Sequence, residues 1–271
     1  MKQISQIDRK AYKLAKAYLP NHIPGVTAKL IEEYINPISL RLKPKTKNGL
    51  YRRILESAQN AGMKPKVIGG AIGGIDKLSV VLYGFNPRKV LKKYDDWKSI
   101  FNQIKKQLKP IGKVRRTSRG IWPNYCKTIL SAASFVEQFK SADDFYKWVK
   151  FFNKDDRSRA SLPMLIDQEI KGLGFALSCD FLKELGYVNF PKPDVHLRDI
   201  FTKLKLCSSE VDNYQLFKAI VRLANDANVS PYNADKVFWL IGSGKFDNHP
   251  EIKIRRMKKK FIKYAYSKLY K

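Results

Sequence analysis

The spacing of apolar residues constrains the fold of this chain most strongly. They recur every three or four positions along most of its length, which is the period of an amphipathic α-helix, and alternating strand patterns are few. Proline and glycine divide the pattern into segments. We expect helices at 9–19, 27–35, 50–62, 76–83, 87–93, 96–108, 123–139 and 142–152, and a basic amphipathic helix at the C-terminus with Ile254, Met257, Phe261, Ala265 and Leu269 on one face. The sequence therefore predicts an all-α protein.

Local signals mark several helix ends. Thr27 and Ser141 are candidate N-caps, because a hydroxyl group can accept a hydrogen bond from a free backbone N–H in the first turn. Pro20 is expected to stop the first helix, and Gly62 the third.

Charge indicates the partner. The chain has 53 Lys and Arg against 24 Asp and Glu, a net charge of +29. Such an excess favours a polyanion, which could be nucleic acid, an anionic membrane or an acidic protein. The hydrophobic content of 44% excludes a disordered basic tail.

Two loops of the chain, 41–49 and 109–120, are rich in basic residues. The second carries Arg115, Arg116 and Arg119, which could contact phosphates or form an ordinary solvated loop.

Neither a membrane span nor a secretory signal is expected. No apolar run approaches the ~18 residues that a transmembrane helix needs. The N-terminal segment also lacks the apolar core and cleavage site of a signal peptide. We therefore expect a cytoplasmic protein, associated with the nucleoid if its partner is DNA.

Cofactor motifs are weak. The segment 66–74, KVIGGAIGG, is not followed by the Lys-Ser/Thr of a phosphate-binding loop, so a turn or close helix packing explains its glycines better. Cys126, Cys179 and Cys207 are widely spaced and form no Cys-Xaa-Xaa-Cys pair. They predict ordinary buried thiols, with no bound metal.

The most informative stretch is a pair of helices joined by glycines. A helix ending near Ile170 is followed by Lys171-Gly172-Leu173-Gly174, and a second helix runs over 175–185 to Gly186. The start of the second helix could offer backbone N–H groups to a DNA phosphate, although such a hairpin can equally be only a tight turn.

An aspartate follows the hairpin at a fixed distance. Asp194 lies twenty residues after Gly174, in Pro-Lys-Pro-Asp-Val-His, immediately before another helical run. An Asp in this position is usually an N-cap.

The combined order resembles the helix-hairpin-helix superfamily of DNA glycosylases, the relatives of endonuclease III, and especially archaeal 8-oxoguanine glycosylases. The matching elements are the hairpin, Phe181-Leu182, Gly186-Tyr187 and Asp194-Xaa-His196, and a second patch at Trp239 and Gly244-Lys245 is similar. The resemblance implies one glycosylase unit over 1–271 with two helical lobes. These are a barrel at 50–199 with the hairpin at 162–186, and a lobe of 1–49 and 200–271, with the active site in the cleft between them.

The resemblance also implies roles for individual residues. Asp194 would be the catalytic carboxylate, and double-stranded DNA would bind to Lys171, Gly172 and Gly174. The one cofactor that the resemblance implies is a structural monovalent cation at the hairpin. It implies no obligate protein partner. The base pocket would draw on Gln59, Asn60, Trp122, Tyr125, Phe190, Trp239 and Lys245, although the aromatic residues among them could instead belong to the core.

One departure changes the expected chemistry. Lyase-competent relatives carry a nucleophilic Lys two residues after the second hairpin glycine, where this chain has Ala176. The resemblance then implies a monofunctional enzyme that uses water, unless Lys183 or Lys245 reaches the site. The four-cysteine loop that holds an iron–sulfur cluster in several relatives is also missing.

The expected mechanism uses charge. Cleavage of the bond between base and sugar builds positive charge on the sugar, which a carboxylate stabilises. We expect the helix start to keep Asp194 ionised. His196 is expected to be structural. Two alternatives remain open: a defence glycosylase that excises a hypermodified phage base such as glucosylated hydroxymethylcytosine, and a DNA-binding protein without catalysis.

Overall fold

The computed structural model describes residues 2–36, 43–60, 67–246, 248–252 and 257–271. Within these ranges the chain forms helices and no strand, which confirms the predicted all-α class. Two 3₁₀ segments, Gly70–Ile72 and Ile75–Val80, accompany the α-helices. The α-helices are α1 Lys2–His22, α2 Ala28–Ile35, α3 Lys47–Ala58, α4 Pro87–Lys93, α5 Trp97–Leu108, α6 Ile121–Glu137, α7 Ala142–Lys154, α8 Ser161–Glu169, α9 Phe175–Glu184, α10 Val195–Lys203, α11 Asn213–Asp226, α12 Pro231–Ser243 and α13 Met257–Leu269.

The chain divides into two compact units. The first, the terminal unit, combines Met1–Arg41 with Leu182–Lys271, and the second, the central unit, is Leu42–Phe181. Asp194 belongs to the terminal unit, whereas the hairpin at 171–174 belongs to the central unit.

In the terminal unit, helices from both ends of the sequence share one core. α1 packs against α11, α12 and α13, and α10 packs against α12. Leu19, Phe201, Phe238 and Phe261 are among the fully buried side chains of this core. The beginning and the end of the chain therefore stabilise each other.

The central unit is built around α6. This helix packs against α3, α4, α5 and α8. Two buried tyrosines join it to α3: the hydroxyl group of Tyr51 donates to the carbonyl of Ile129 at 2.9 Å, and that of Tyr125 donates to the carbonyl of Leu55 at 2.9 Å. Because buried hydroxyl groups need partners, these bonds fix the register of the two helices.

Two of the four predicted helix-end signals are confirmed. Thr27 and Ser141 accept hydrogen bonds from first-turn N–H groups, as predicted. The prediction at Pro20 was wrong, since α1 continues through it to His22. A proline removes only one backbone donor, and the helix end keeps a bond from the N–H of Ile23 to the carbonyl of Leu19 at 3.0 Å.

The glycine-dense segment departs further from expectation. Residues 76–83 were predicted as an α-helix, but a 3₁₀ segment ends at Val80 and turns follow. Gly73 and Gly74 precede it with φ angles of 74° and 115°, which side-chain-bearing residues rarely adopt. The predicted stop at Gly62 and the apolar position Ile254 lie outside the described residues.

Candidate functional site

Asp194 is the N-cap of α10. Its Oδ1 accepts hydrogen bonds from the backbone N–H groups of His196 at 2.8 Å and Leu197 at 3.0 Å. Among the described residues, no hydrogen-bond donor contacts its other oxygen, Oδ2. One carboxylate oxygen is thus anchored by the helix, and the second is left for another partner.

A second carboxylate supports this segment. Asp235, on α12, is 2% exposed and accepts hydrogen bonds from the side chain of Lys183 and from the backbone N–H of Lys192, both at 2.9 Å. Because Lys192 lies two residues before Asp194, Asp235 holds the backbone that leads into the cap. We call Asp194, Asp235, Lys183 and Lys192 the acid cluster.

Asp235 was missed by the sequence analysis. Its partners lie more than forty residues away in the sequence, so no local pattern joins them. One available signal was its isolation, because it is the sole acidic residue of α12 and lies one turn before Trp239. An acidic residue within an otherwise apolar helical face needs a buried partner.

The electrostatics of Asp194 differ from the expectation. Burial of the carboxyl group raises the pKa of Asp194 above its usual value of 3.8, and the charge of Asp235 acts in the same direction. The N–H of Leu197 and the charges of His196 and Lys192 act in the opposite direction. The helix start favours the ionised form, but burial is the larger effect, so the net direction of the pKa shift is upward.

Lys183 lies on the same face of α9 as Ala176, seven residues further along. Its side chain is 12% exposed and forms an ion pair with the nearly buried Asp235. This contact directs the amine toward the carboxylate, whereas a Schiff-base nucleophile must be a free amine that can reach the sugar. Lys245, the other candidate amine, is exposed just beyond the end of α12.

His196 packs where α10 meets α12. A Cβ added to Gly242 would lie 2.6 Å from the Cβ of His196, so the glycine allows the two helices to approach closely. This contact agrees with the structural role expected for His196.

Most of the aromatic pocket candidates prove to be core residues. Trp122, Tyr125 and Phe190 are 4%, 3% and 0% exposed, so their rings are not available for stacking on a base in this structure. Trp239 is partly exposed, and the ammonium group of Lys236 lies 4.5 Å from the centre of one of its rings. Trp239 is the one of the four that could still contact a ligand.

The polar candidates Gln59 and Asn60 follow α3 in the central unit. The Oε1 of Gln59 lies close to Gly69, where an added Cβ would come within 2.7 Å of it. The Oδ1 of Asn60 is buried and has no hydrogen-bond partner among the described residues. Their role in a base pocket stays a prediction.

The hairpin at 171–174 is held by α6. The backbone N–H of Lys171 donates to Ser131 at 3.0 Å, and its carbonyl accepts from Thr128 at 2.5 Å. Gly172 has a φ angle of +84°, and an added Cβ would lie 2.8 Å from the hydroxyl oxygen of Thr128. Glycine is therefore required there by backbone conformation and by space.

Gly174 differs from Gly172. It is exposed, its φ angle is not positive, and an added Cβ would meet nothing within 4 Å. Its carbonyl accepts hydrogen bonds from the N–H groups of Leu177 and Ser178, so it stands at the start of α9, a position where glycine is common.

The start of α9 is already partly occupied. The backbone N–H of Phe175 donates to the carboxylate of Asp167 at 3.0 Å, which weakens the expected attraction for a phosphate. The hairpin carbonyls of Lys171 and Leu173 accept hydrogen bonds from side-chain hydroxyls. The expected monovalent cation, which would need such carbonyls, stays a prediction.

The basic loop at 109–120 is joined to the same helix as the hairpin. Residues 97–136 contain nine Lys and Arg and no acidic residue, and Arg115, Arg116 and Arg119 are exposed. The side chain of Lys127 donates to the carbonyl of Ser118 at 2.8 Å. Because the next residue along α6, Thr128, contacts the hairpin, α6 brings the two basic elements together.

The other basic loop is used internally. Lys47 forms an ion pair with Glu137 at 2.6 Å, and the ammonium group of Lys43 lies 5.4 Å from the centre of the Tyr146 ring. The remaining described cation of this loop is Lys45, which is exposed and has no described partner. Residues 41 and 42 of this loop lie outside the described ranges.

Comparisons with protein-family models, with curated proteins and with solved structures found no match. In the part of the chain that the structure describes, no group of three or more His, Cys, Asp or Glu side chains is placed to hold a metal ion. No helix within the same ranges is long and apolar enough to cross a membrane.

Proposed function

We propose that this protein is a DNA glycosylase that removes a damaged or modified base by hydrolysis, with Asp194 as the catalytic carboxylate. The observation that carries the proposal is the geometry of this side chain. Its Oδ1 is anchored by two backbone N–H groups, and Oδ2 has no donor among the described residues. A fixed carboxylate can stabilise positive charge that develops on a sugar.

The chemical step follows from that arrangement. The bond between C1′ of the deoxyribose and the base nitrogen breaks, and its electron pair leaves with the base. Positive charge spreads over C1′ and the ring oxygen, next to the Asp194 carboxylate. A water oxygen then bonds to C1′, its proton passes to the carboxylate and finally to the departing base, and an abasic sugar remains.

The acid cluster supports a hydrolytic reaction. Lys183 is paired with Asp235, and Ala176 carries no amine. The protein would then leave an intact abasic site, because strand cleavage by a lyase requires an amine that attacks C1′. Lys183 would hold Asp235, and through it the backbone before Asp194.

Double-stranded DNA would bind through its phosphates. Arg115, Arg116 and Arg119 are exposed on the basic loop, and Lys171 and Gly174 are exposed at the hairpin. Contacts to phosphates position a duplex without reading its sequence. Binding should therefore weaken steeply with salt, and each phosphate contact removed should lower the salt dependence by about one unit of the logarithmic slope.

The decisive experiment is mass spectrometry of the bases released from modified duplexes and modified phage genomes. We expect one free base to appear and the abasic strand to break only after alkali or heat. A release confined to hypermodified phage DNA would assign the enzyme to defence, and release of an oxidised purine would assign it to repair. Strand breakage without alkali would contradict hydrolysis, and intact bases throughout would favour a binding protein without catalysis.

A further inference from the structure

Ile111 is the most exposed aliphatic side chain of the basic loop, at 75% of its full accessibility. Single exposed aliphatic residues are common on proteins, so exposure alone indicates nothing. The surroundings distinguish this one. Lys109 and Lys113 flank it, Arg115, Arg116 and Arg119 follow, and the nearest acidic residues in the sequence are Asp96 and Glu137.

The backbone presents this side chain rigidly. The N–H of Ile111 donates to the carbonyl of Ala71 at 2.9 Å, which attaches the loop to the glycine-dense segment. Pro110 restricts the chain before it, and Gly112 turns the chain after it with a φ angle of +89°. A side chain that must enter another molecule loses less entropy on binding when its backbone is already fixed.

Apolar surface continues behind Ile111. A recess of about 500 Å³ opens there, and Lys113 is its one charged lining residue among those described. Ile121, at the start of α6, is 43% exposed and also lines it. The other described lining residues are Val67, Gly70, Ala71, Gly112 and Trp122. The loop thus combines cations at its surface with an apolar tip and apolar walls.

This combination matches the chemistry of a DNA duplex. Phosphates lie on the outside of the duplex, and the faces of the stacked bases are apolar. Proteins that open a base step insert one aliphatic side chain between bases while cations contact the neighbouring phosphates. An anionic membrane fits less well, because membrane binding increases with the apolar area buried and this loop presents little more than two aliphatic side chains.

We propose that Ile111 enters the base stack of bound DNA and fills the space that a displaced nucleotide leaves. The inference rests on the proposed function in one respect, since removal of a base requires the nucleotide to leave the stack. The buried rings of Trp122, Tyr125 and Phe190 cannot fill that space in this structure.

The test uses a short duplex with a tetrahydrofuran abasic analogue, so the target base need not be known. We expect the protein to prefer this duplex over the intact one, because the gap accepts Ile111 without unstacking a base. Ile111→Ala should reduce the preference about tenfold and change the affinity for intact duplex less than about twofold. Ile111→Leu should retain the preference.

Val80 provides a matched control. It is an aliphatic residue of the same unit, 61% exposed, and it lies outside the basic loop. Val80→Ala should leave both affinities unchanged. Circular dichroism of each variant would show that the helices are intact.

Several results would overturn the inference. One is an Ile111→Ala variant that keeps the wild-type preference, and another is a variant that loses affinity for both duplexes equally. A third is a membrane result: the wild-type protein binds phosphatidylserine vesicles, and Ile111→Ala abolishes this binding but leaves the affinities for both duplexes unchanged. The experiment needs no base release, so it should give the same result in an Asp194→Asn background. An Ile111-dependent preference without any base release would refute the glycosylase proposal and leave this inference standing.

Discussion

Two aspartates begin helices in the two units of this protein, and their environments differ. Asp96 caps α5 in the central unit, where its Oδ1 accepts a hydrogen bond from the N–H of Ser99 at 2.8 Å. Asp194 caps α10 in the terminal unit in the same manner. Asp96 is exposed, and the hydrogen bond from Ser99 lowers its pKa. Burial raises the pKa of Asp194.

The difference separates a structural cap from a candidate catalytic residue. At Asp96, water and the helix both favour the charged form, so the charge stabilises the helix. At Asp194, the same cap carries a charge that burial disfavours, close to a second carboxylate. Perturbed acids of this kind cluster at functional sites, although structural networks can also contain them. Variants at the two caps can therefore test whether the distinction is real.

The largest expected difference concerns base release. Asp194→Asn should lower the rate about a thousandfold, because the amide keeps the helix cap but lacks the negative charge. Asp96→Asn should leave the rate unchanged. Single-turnover release from the duplex identified by mass spectrometry would measure both, and gel-shift titration would show that each variant still binds DNA. Equal rates for the two variants would remove Asp194 from the mechanism.

The next effect concerns the ion pair beside Asp194. Asp235→Asn leaves the largely buried ammonium group of Lys183 without its described carboxylate partner, and we expect the free energy of unfolding to fall by about 3 kcal/mol. Urea denaturation followed by circular dichroism would measure this. Lys183→Met combined with Asp235→Asn should recover most of the loss, because the ammonium group is then absent and the amide oxygen of Asn can still accept from the backbone N–H of Lys192. Failure of the double variant to recover stability would show that the pair is not the cause.

A third difference is the dependence of activity on pH. Base release requires ionised Asp194, so its rate should fall as the pH drops through a pKa above the usual 3.8. Asp235→Asn removes the negative charge that raises the pKa of Asp194, and it leaves the positive charge of Lys183 in place. The pKa of Asp194 should therefore fall, and the acidic limb of the profile should move to lower pH.

Asp96→Asn is the matched control for this profile, and its acidic limb should coincide with that of the wild-type protein. The profiles would be measured as kcat/KM at a temperature where the Asp235→Asn variant is folded. A shift of that variant toward higher pH would contradict the assigned interaction between the two carboxylates.

The helix caps could be predicted because their signals are local. Thr27, Ser141 and Asp194 each accept from an N–H group two or three residues away, so sequence proximity and spatial proximity coincide. The stop at Pro20 was wrong because one lost hydrogen bond at a helix end is tolerated.

Residue roles that depend on tertiary contacts could not be predicted in the same way. The pairing of Asp235 with Lys183 joins residues 52 positions apart. The burial of Trp122 and the exposure of Ile111 both depend on how the helices pack, and the sequence shows only that both side chains are apolar. The candidate site was therefore predicted through its cap residue and missed in the contacts around it.

The smallest expected difference is in thermal stability, and its sign differs between the caps. Folding raises the pKa of Asp194, so its charge costs stability near neutral pH, and this cost disappears as the pH falls through the raised pKa to below 3.8. Asp194→Asn should therefore raise Tm by roughly 2 °C near neutral pH and by less in acid. Folding lowers the pKa of Asp96, so its charge contributes stability above 3.8 that is lost as the pH falls through the lowered value. Asp96→Asn should lower Tm slightly near neutral pH. Thermal melts of the two variants would measure both shifts. If Tm moved in the same direction in both, the two caps would not differ in this respect.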